Sequence, residues 1–345
     1  MDVRPKKALG QHFLTDQTIA RAIVDSLGPA PRVLEVGPGM GVLTQYLLQR
    51  GAAPSRFEVP TGGTKTGKSS ALPESSSHSD AGQTSASGVS LRSDDKVLAT
   101  QAPLGSSGLP GGSAPEFVHQ GPLSCTNAPS TAGSYTTGPS GVQLKVVEID
   151  SESVIYLREH YPALGPGLLE ADFLKLPLDK VFAEPFSVIG NFPYNISSQI
   201  FFHILDYRDL VPEVVCMIQK EVAERLAAGP GSKTYGILSV LLQMWYDIEY
   251  RFTVGEGAFV PPPKVKSAVI RLTRNSRTDA GCDEALLRRI VKATFNQRRK
   301  TIRNGLRSIG ITAGDFPFLD ARPEQLSVEN FITLTCAVEA CNAKK

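Results

Sequence analysis

The tetrapeptide at residues 191–194, Asn-Phe-Pro-Tyr, has residue types and a spacing that suit chemistry on an aromatic amine. The exocyclic amine of adenine is a poor nucleophile because its lone pair is delocalised into the ring. Two acceptors for its hydrogens, the Asn191 side-chain oxygen and the Pro193 carbonyl, favour the tetrahedral amine that attacks a methyl group. Tyr194 offers a face on which a flipped base can stack. The pattern predicts methyl transfer to adenine, and its alternative is a proline-containing turn without chemistry.

A glycine-rich turn follows the first predicted strand, where residues 33–41 read Val-Leu-Glu-Val-Gly-Pro-Gly-Met-Gly. Glycines let a backbone approach a ligand closely at the carboxyl end of a strand, which is where open α/β sheets bind cofactors. The dinucleotide-binding motif GxGxxG would need a glycine at the position of Val42. Pro38 is also unusual in a turn that binds pyrophosphate. The turn suits the methionine part of S-adenosylmethionine better, with a plain strand-turn-helix corner as the alternative.

Acidic residues end the next two predicted strands. Glu148 stands in Val-Val-Glu-Ile-Asp, where a carboxylate can accept both hydroxyls of a ribose. Asp172 ends the third strand, in a position to accept from a cofactor's adenine amine, with Phe173 beside it. Each acid alone is more often an ordinary strand-end or helix-capping residue. Taken in chain order with the glycine turn, the acids predict one cofactor pocket.

Strand and helix patterns alternate between residues 16 and 272, which predicts a doubly wound, largely parallel sheet. From residue 283 onward the pattern is helical only, with helices predicted at Glu284–Arg307 and Ser327–Cys341. We therefore expect a catalytic domain over residues 1–275 and a small all-helical domain over residues 283–345.

Residues 53–143 differ from the rest of the chain, because Ser, Gly, Thr, Pro and Ala dominate there. Such a segment buries too little apolar surface to offset its ordering entropy, so we expect a disordered insertion between the helix after the glycine turn and the second strand. That helix runs back along the sheet, so the insertion should emerge at the amino ends of the strands, opposite the cofactor.

A phosphate-binding loop pattern, GxxxxGK[ST], occurs inside this insertion at residues 62–69. The pattern binds nucleotide only between a buried strand and a helix. Neither is predicted beside it, because the preceding stretch is short and ends at Pro60. An NTPase is therefore the weakest interpretation of this chain.

A basic segment occupies residues 288–307, although the net charge of the whole chain is only +2. No Asp or Glu interrupts it, which favours contact with phosphates over the alternative of a solvated helix face. Its basic residues are Arg288, Arg289, Lys292, Arg298, Arg299, Lys300, Arg303 and Arg307.

The remaining composition argues for a cytoplasmic protein. No run of about 18 apolar residues predicts a membrane span. The start of the chain lacks the apolar stretch of a signal peptide. The five cysteines have no metal-binding spacing, so we expect reduced thiols and no metal site.

These motifs together resemble the ribosomal RNA adenine dimethyltransferase family, and most closely its bacterial small-subunit branch, which is linked to kasugamycin resistance. The resemblance covers the chain except roughly residues 53–143. It rests on LGQHFL at residues 9–14, VLEVGPGMG, VVEID, EADF and NFPYN, and continues in FVPPPKVKSAV at residues 259–269 and FNQRRK at residues 295–300.

The resemblance implies a class I S-adenosylmethionine-dependent methyltransferase with a Rossmann-like sheet. Its expected substrate is a pair of adjacent adenosines in the loop of the 3′-terminal hairpin of 16S rRNA, in the small ribosomal subunit or an assembly intermediate of it. We expect a monomer with a role in ribosome biogenesis. The expected site residues are Asn191, Pro193, Tyr194 and Phe259 for catalysis, with Tyr194 and Phe259 enclosing the adenine; His12, Leu14, Gly37, Gly39, Glu148, Asp172, Phe173 and Asn191 for the cofactor; and Arg298, Arg299, Lys300 and Arg303 for RNA.

Two alternatives stay open within this resemblance. One is a sister enzyme that methylates large-subunit RNA and confers antibiotic resistance, although FVPPPKVKSAV and FNQRRK favour the small-subunit branch. The other is a non-catalytic ribosome-assembly factor of the same fold, which the intact residues 191–194 argue against.

Two positions depart from the family pattern. His12 stands where the family usually has Asn, so a hydrogen bond to the cofactor must come from a ring nitrogen or be lost. Phe192 stands where Leu is usual, and since both are apolar we expect repacking rather than inactivation.

Overall fold

The computed structural model describes residues 3, 5–6, 9–50, 141–312 and 314–343. The predicted disorder of the insertion and the phosphate-loop pattern at residues 62–69 therefore lie outside the described residues.

Nine strands are present in the described part of the chain. Four of them are largely buried and rich in Val, Ile and Leu, the composition of strands that are covered on both faces. They are β1 (Phe13–Leu14), β2 (Arg32–Val36), β3 (Gln143–Glu148), β4 (Leu168–Glu170), β5 (Ser187–Asn191), β6 (Glu213–Gln219), β7 (Tyr246–Val254), β8 (Phe259–Val260) and β9 (Ser267–Arg274).

Seven of these strands form one sheet in the order β4-β3-β2-β5-β6-β9-β7. The strands from β4 to β6 in this order are parallel, whereas β9 runs antiparallel to both β6 and β7. The predicted doubly wound sheet is confirmed, and its two late strands make it a mixed sheet. β1 and β8 pair separately as a short antiparallel ribbon.

Ten α-helices connect and cover the strands of the described ranges. Asp16, Asp150, Asp283 and Ser327 cap four of them, each accepting backbone N–H groups with its side chain. No described helix is long and apolar enough to cross a membrane. The helices are α1 (Gln17–Asp25), α2 (Thr44–Arg50), α3 (Ser151–His160), α4 (Leu178–Val181), α5 (Ser197–Asp206), α6 (Lys220–Ala227), α7 (Ile237–Gln243), α8 (Glu284–Asn296), α9 (Ile302–Ser308) and α10 (Val328–Asn342).

Two hydrophobic clusters lie on the two faces of the sheet. Neighbouring residues of β2 point to opposite clusters, Val33 to one and Leu34 to the other. The cluster that holds Leu34 extends without interruption through α5 and α7 to α8 and α10. The C-terminal helices therefore share their core with the sheet, and the separate helical domain over residues 283–345 stays a prediction.

The predicted single helix Glu284–Arg307 is wrong, because α8 ends at Asn296 and α9 begins at Ile302. Between them the chain turns so that α9 packs against α8. A Cβ atom on Gly305 would lie 2.7 Å from the Cα atom of Thr294, so glycine permits this close approach. Tertiary packing thus overrides the local helical preference, and the basic segment is divided between two helices and the turn that joins them.

The chain leaves and re-enters the described part at the amino ends of the strands. Arg50, the last residue of α2, donates to the carbonyls of Val24 (2.9 Å) and Gly28 (3.1 Å). β3 begins at Gln143, opposite Arg32 at the start of β2. The predicted end of the insertion at residue 143 is therefore too late, since Gln143 already belongs to the sheet.

Replacing residues 53–140 with a short Gly/Ser linker should leave the affinity for S-adenosylmethionine unchanged. The described residues that flank the segment lie at the amino ends of the strands, and shortening a loop changes its closure entropy only slightly. Isothermal titration calorimetry on the shortened and full chains measures this. A loss of affinity of about tenfold or more, or about 1.4 kcal/mol, in a shortened chain with intact far-UV circular dichroism would contradict it.

Candidate active site

One cavity of about 260 Å³ opens at the carboxyl ends of β2, β3, β4 and β5. This is the edge of an open α/β sheet at which ligands bind. The cavity brings together ten of the sequence-predicted site residues, namely His12, Leu14, Gly37, Gly39, Glu148, Asp172, Phe173, Asn191, Pro193 and Tyr194.

The glycine turn after β2 needs its glycines for conformation and for space. Gly37, Gly39 and Gly41 have φ angles of +65°, +57° and +77°, which disfavour other residues. A Cβ atom on Gly39 would lie 2.9 Å from the ring of Phe13, and one on Gly41 would lie 2.4 Å from the ring of Tyr161. The turn therefore presents bare backbone to the cavity.

Glu148 lies on the cavity wall at the end of β3 and is only 5% exposed. Its Oε1 accepts the backbone N–H groups of Ile149 and Asp150, both at 2.9 Å, and its Oε2 accepts that of Gly39 at 3.1 Å. Burial raises the pKa of Glu148, and these three N–H groups counteract the rise. Oε1 thus accepts two N–H groups, whereas Oε2 accepts one and keeps a further acceptor site for a ligand hydroxyl.

Asp172 follows β4 and begins a 3₁₀ turn. Its Oδ1 accepts the N–H of Leu174 at 3.0 Å, which fixes the carboxylate at the cavity rim. The neighbouring Phe173 is 6% exposed and meets the His203 ring edge-on at 5.2 Å between centroids. An acid and an aromatic ring thus stand side by side where a purine could lie.

Asn191 ends β5 with its amide fixed in one orientation. Its Nδ2 donates to the backbone carbonyl of His12 at 3.0 Å, which leaves Oδ1 as the acceptor of this side chain. The Pro193 carbonyl accepts the N–H of Ile196 at 3.2 Å and retains a second lone pair. Two acceptors that suit an amine therefore stand at the end of the same strand.

Tyr194 is held by contacts on two sides. Its hydroxyl hydrogen-bonds the hydroxyl of the fully buried Ser267, and burial raises the pKa of Tyr194, so the phenol is neutral. The His12 ring stacks on the Tyr194 ring with 5.6 Å between centroids and 27° between planes. Nδ1 of His12 also lies 2.9 Å from the Pro261 carbonyl, and because a carbonyl only accepts, this nitrogen carries a hydrogen.

Phe259 is not brought into the cavity. It pairs with Leu14 across the β1–β8 ribbon, is 2% exposed and is absent from the cavity lining. In the described arrangement His12 rather than Phe259 faces Tyr194. Phe192 is fully buried and meets Phe201 edge-on at 5.8 Å, and its expected repacking relative to leucine stays a prediction.

Glu35 is a cavity-lining residue to which the sequence reasoning assigned no role. It is fully buried in β2, where Thr44 donates its hydroxyl to Oε2 at 2.6 Å and Oε1 has no hydrogen-bond partner. Burial raises its pKa to about 8. The sequence does carry a signal for this residue, because the strand pattern Val-Leu-Glu-Val places an acid at a position that is expected to be buried.

Part of the basic segment is engaged within the protein. Arg298 donates to the Ser232 carbonyl at 3.2 Å, and Arg303 lies 3.0 Å from Asp320. Arg299 and Lys300 are exposed, and no ion pair is recorded for either within the described ranges. These two residues are thus the most available of the four predicted RNA contacts.

No group of three or more His, Cys, Asp or Glu side chains in the described part of the chain is arranged to hold a metal ion.

Comparisons with known proteins identify the fold and the family. The model of the family described as ribosomal RNA adenine dimethylase matches residues 3–59 and 142–316. The ribosomal RNA small subunit methyltransferase A of Phocaeicola vulgatus is 45% identical over 99% of this chain and 92% of its own. That of Bacteroides thetaiotaomicron is 44% identical over 98% of this chain and 95% of its own.

Two solved structures share the fold. A dimethyladenosine transferase from Plasmodium falciparum has a TM-score of 0.60 and 18% identity, over 96% of this chain and 98% of its own. The 23S rRNA methyltransferase ErmE has a TM-score of 0.51 and 19% identity, over 94% and 99%. The fold is that of the class I methyltransferases that use S-adenosylmethionine.

The family match spans more than half of the chain and breaks at the segment that separates α2 from β3. The relatives above cover nearly all of it at well over 30% identity. The chain belongs to the ribosomal RNA adenine dimethylase family.

Proposed function

We propose that this enzyme dimethylates the exocyclic amines of two adjacent adenosines in the loop of the 3′-terminal hairpin of 16S rRNA. The observation that carries the proposal is the fixed Asn191 amide, which stands beside the Pro193 carbonyl and Tyr194 in a cavity of the cofactor-binding edge. The relatives that bear the name small subunit methyltransferase A support the choice of RNA. The same names favour this function over large-subunit methylation and over a non-catalytic assembly role.

The cavity fits S-adenosylmethionine in the chemistry of its donors. Gly37 and Gly39 line the cavity with backbone alone, and Glu148 Oε2 offers an acceptor to a ribose hydroxyl. Asp172 and Phe173 suit the adenine, and Leu14 and the His12 backbone close the cavity from the N-terminal side. When bound, this cofactor supplies an electrophilic methyl group on a positively charged sulfur.

The side chains on β5 and beyond orient the target amine. Asn191 Oδ1 and the Pro193 carbonyl accept its two hydrogens, which directs the nitrogen lone pair toward the cofactor. These acceptors are dipoles fixed before the substrate arrives, so they lower the barrier without a shifted acid or base. The neutral Tyr194 ring stacks on the flipped base.

The second wall of the adenine slot is the proposed role of Phe259. This role requires the ring to turn out of its buried position and His12 to move off Tyr194. Binding of RNA at the exposed Arg299 and Lys300, with Arg298 and Arg303 beside them, would bring the hairpin to this slot. The proposed partner is the small subunit or an assembly intermediate of it, met by a monomer in the cytoplasm during ribosome biogenesis.

Labelled S-adenosylmethionine should methylate undermethylated small subunits or their RNA, and the label should map to two adjacent adenosines of the 3′-terminal hairpin. Separate incubations with small subunits, free 16S rRNA and large-subunit RNA identify the substrate. Label confined to large-subunit RNA, or no label in any of the three, would overturn the proposed function.

Asn191→Ala should lower the rate of methyl transfer by about 100-fold or more, because removing one fixed acceptor or donor from a reaction site costs that much. RNA affinity should be unchanged. Single-turnover methylation and filter binding measure the two quantities. Asn342→Ala, which removes the same side chain at the exposed end of α10, is the matched control and should behave as wild type. A rate for Asn191→Ala near that of this control would contradict the assigned role.

Arg299→Glu combined with Lys300→Glu should weaken RNA binding and reduce the slope of log affinity against log salt by about 1.5 to 2, since each lost phosphate contact removes nearly one unit. The control is Arg158→Glu with Lys180→Glu, which makes the same charge change on α3 and α4. Equal weakening by both pairs would assign the effect to net charge and contradict a specific phosphate contact.

A further inference from the structure

Glu35 combines full burial with an unsatisfied oxygen. The residue is 0% exposed, and among its two carboxyl oxygens only Oε2 has a partner, the Thr44 hydroxyl. A buried carboxylate without compensating donors is strongly destabilised, so such a group takes up a proton instead. A protonated carboxyl keeps Oε2 as the acceptor from Thr44 and carries its hydrogen on Oε1.

The surroundings of Glu35 do not favour a negative charge. Glu148 faces it from β3, and the phenol of Tyr161 faces it from beyond α3. Thr44 from α2 contributes a neutral hydroxyl, and no cationic side chain is recorded beside Glu35 in the part of the chain that the structure describes. Lys6, which is close in sequence to the cavity residues 9–14, is paired with Asp150 and Glu152.

The two acids of the cavity differ in what stabilises their charge. Glu148 accepts three backbone N–H groups from three residues, whereas Glu35 accepts hydrogen bonds from Thr44 alone. When two neighbouring carboxyl groups cannot both ionise at low cost, the one with fewer donors holds the proton. That group is Glu35, and the burial that raises its pKa to about 8 agrees with this order.

We propose that Glu35 is protonated in the ligand-free cavity and releases its proton when the positively charged cofactor binds, which makes it a specificity residue for cationic over neutral adenosine ligands. The carboxyl O–H bond breaks, the electron pair stays on oxygen, and the proton passes to the buffer. The cation supplies in the cavity the opposite charge that the protein itself does not provide. This inference rests on the proposed function only for the identity of the cofactor.

The sign of the pH dependence follows from this linkage. The ligand-free site holds the proton up to a pH of about 8, and the cofactor-bound site favours the ionised form. Affinity for S-adenosylmethionine therefore weakens as the pH falls below about 8, by up to about tenfold per pH unit. A neutral ligand gains nothing from ionisation, so its affinity lacks this contribution.

Calorimetric titration of the full chain with S-adenosylmethionine, in buffers of different ionisation enthalpy, counts the protons released. At pH 7 the wild type should release about one proton more per bound cofactor than Glu35→Gln. The difference between the two chains cancels any proton that the cofactor or Glu148 exchanges. Neutral 5′-methylthioadenosine, at saturation, should show no difference between them.

Equal proton release by wild type and Glu35→Gln would overturn the inference, and so would a difference of the same size with methylthioadenosine. These outcomes are independent of the proposed function. RNA methylation without Glu35-dependent release rejects this inference alone, whereas release without methylation of any ribosomal RNA supports it and rejects the proposed function.

Thermal unfolding of the ligand-free chains gives a second measurement that needs no ligand. The pKa of Glu35 is higher in the folded chain, about 8, than its ordinary value of 4.5, so its contribution to stability is full at low pH and is lost as the pH rises through about 8. Glu35→Gln lacks this loss. Its Tm relative to wild type should rise between about pH 5 and 8, and a constant Tm difference would overturn the inference.

Discussion

The hydrogen bond from the Asn191 amide to the His12 carbonyl is the contact on which the rest of the site depends. It fixes which end of the amide accepts, and it joins the short strand β1 to the end of β5. β1 in turn pairs with β8, and His12 reaches the Pro261 carbonyl just beyond it. The chain then enters β9 at Ser267, whose hydroxyl holds Tyr194. Residues far apart in sequence are thereby joined by a series of contacts around the proposed position of the amine.

Much of this site could be predicted because a parallel sheet gathers its strand ends on one edge. Chain order predicts one pocket for Glu148 and Asp172, the family resemblance adds Asn191 to it, and all three line one cavity. Burial at a single position is harder to predict. Phe259 carries the right side chain, but its pairing in the β1–β8 ribbon buries it, and nothing local in the sequence encodes that pairing.

The break between α8 and α9 shows the same limit. Residues 297–301 contain neither proline nor glycine, so local propensity continues the helix through them. Gly305 decides the outcome, because its missing side chain lets α9 approach Thr294 on α8. A glycine inside a helical pattern lowers local helix propensity only modestly, whereas here its main effect is a long-range contact. The turn also leaves Arg299 and Lys300, two of the proposed RNA contacts, exposed.

The two ends of the sheet carry different electrostatic demands. At the amino ends, Glu213 of β6 is met by Arg271 at 2.7 Å and by the N–H of Gly28 at 2.8 Å, so the buried acid is neutralised within the protein. At the carboxyl ends, Glu35 and Glu148 share a cavity that supplies hydroxyl and N–H donors but no such arginine in the described ranges. An acid paired with arginine has its charge compensated within the protein and attracts no further cation. Acids without a cationic partner make the cavity favourable for positive charge, and a positively charged ligand supplies that charge when it binds. The same residue type thus stabilises one edge of the sheet and selects ligands at the other, according to which partner the surrounding strands provide.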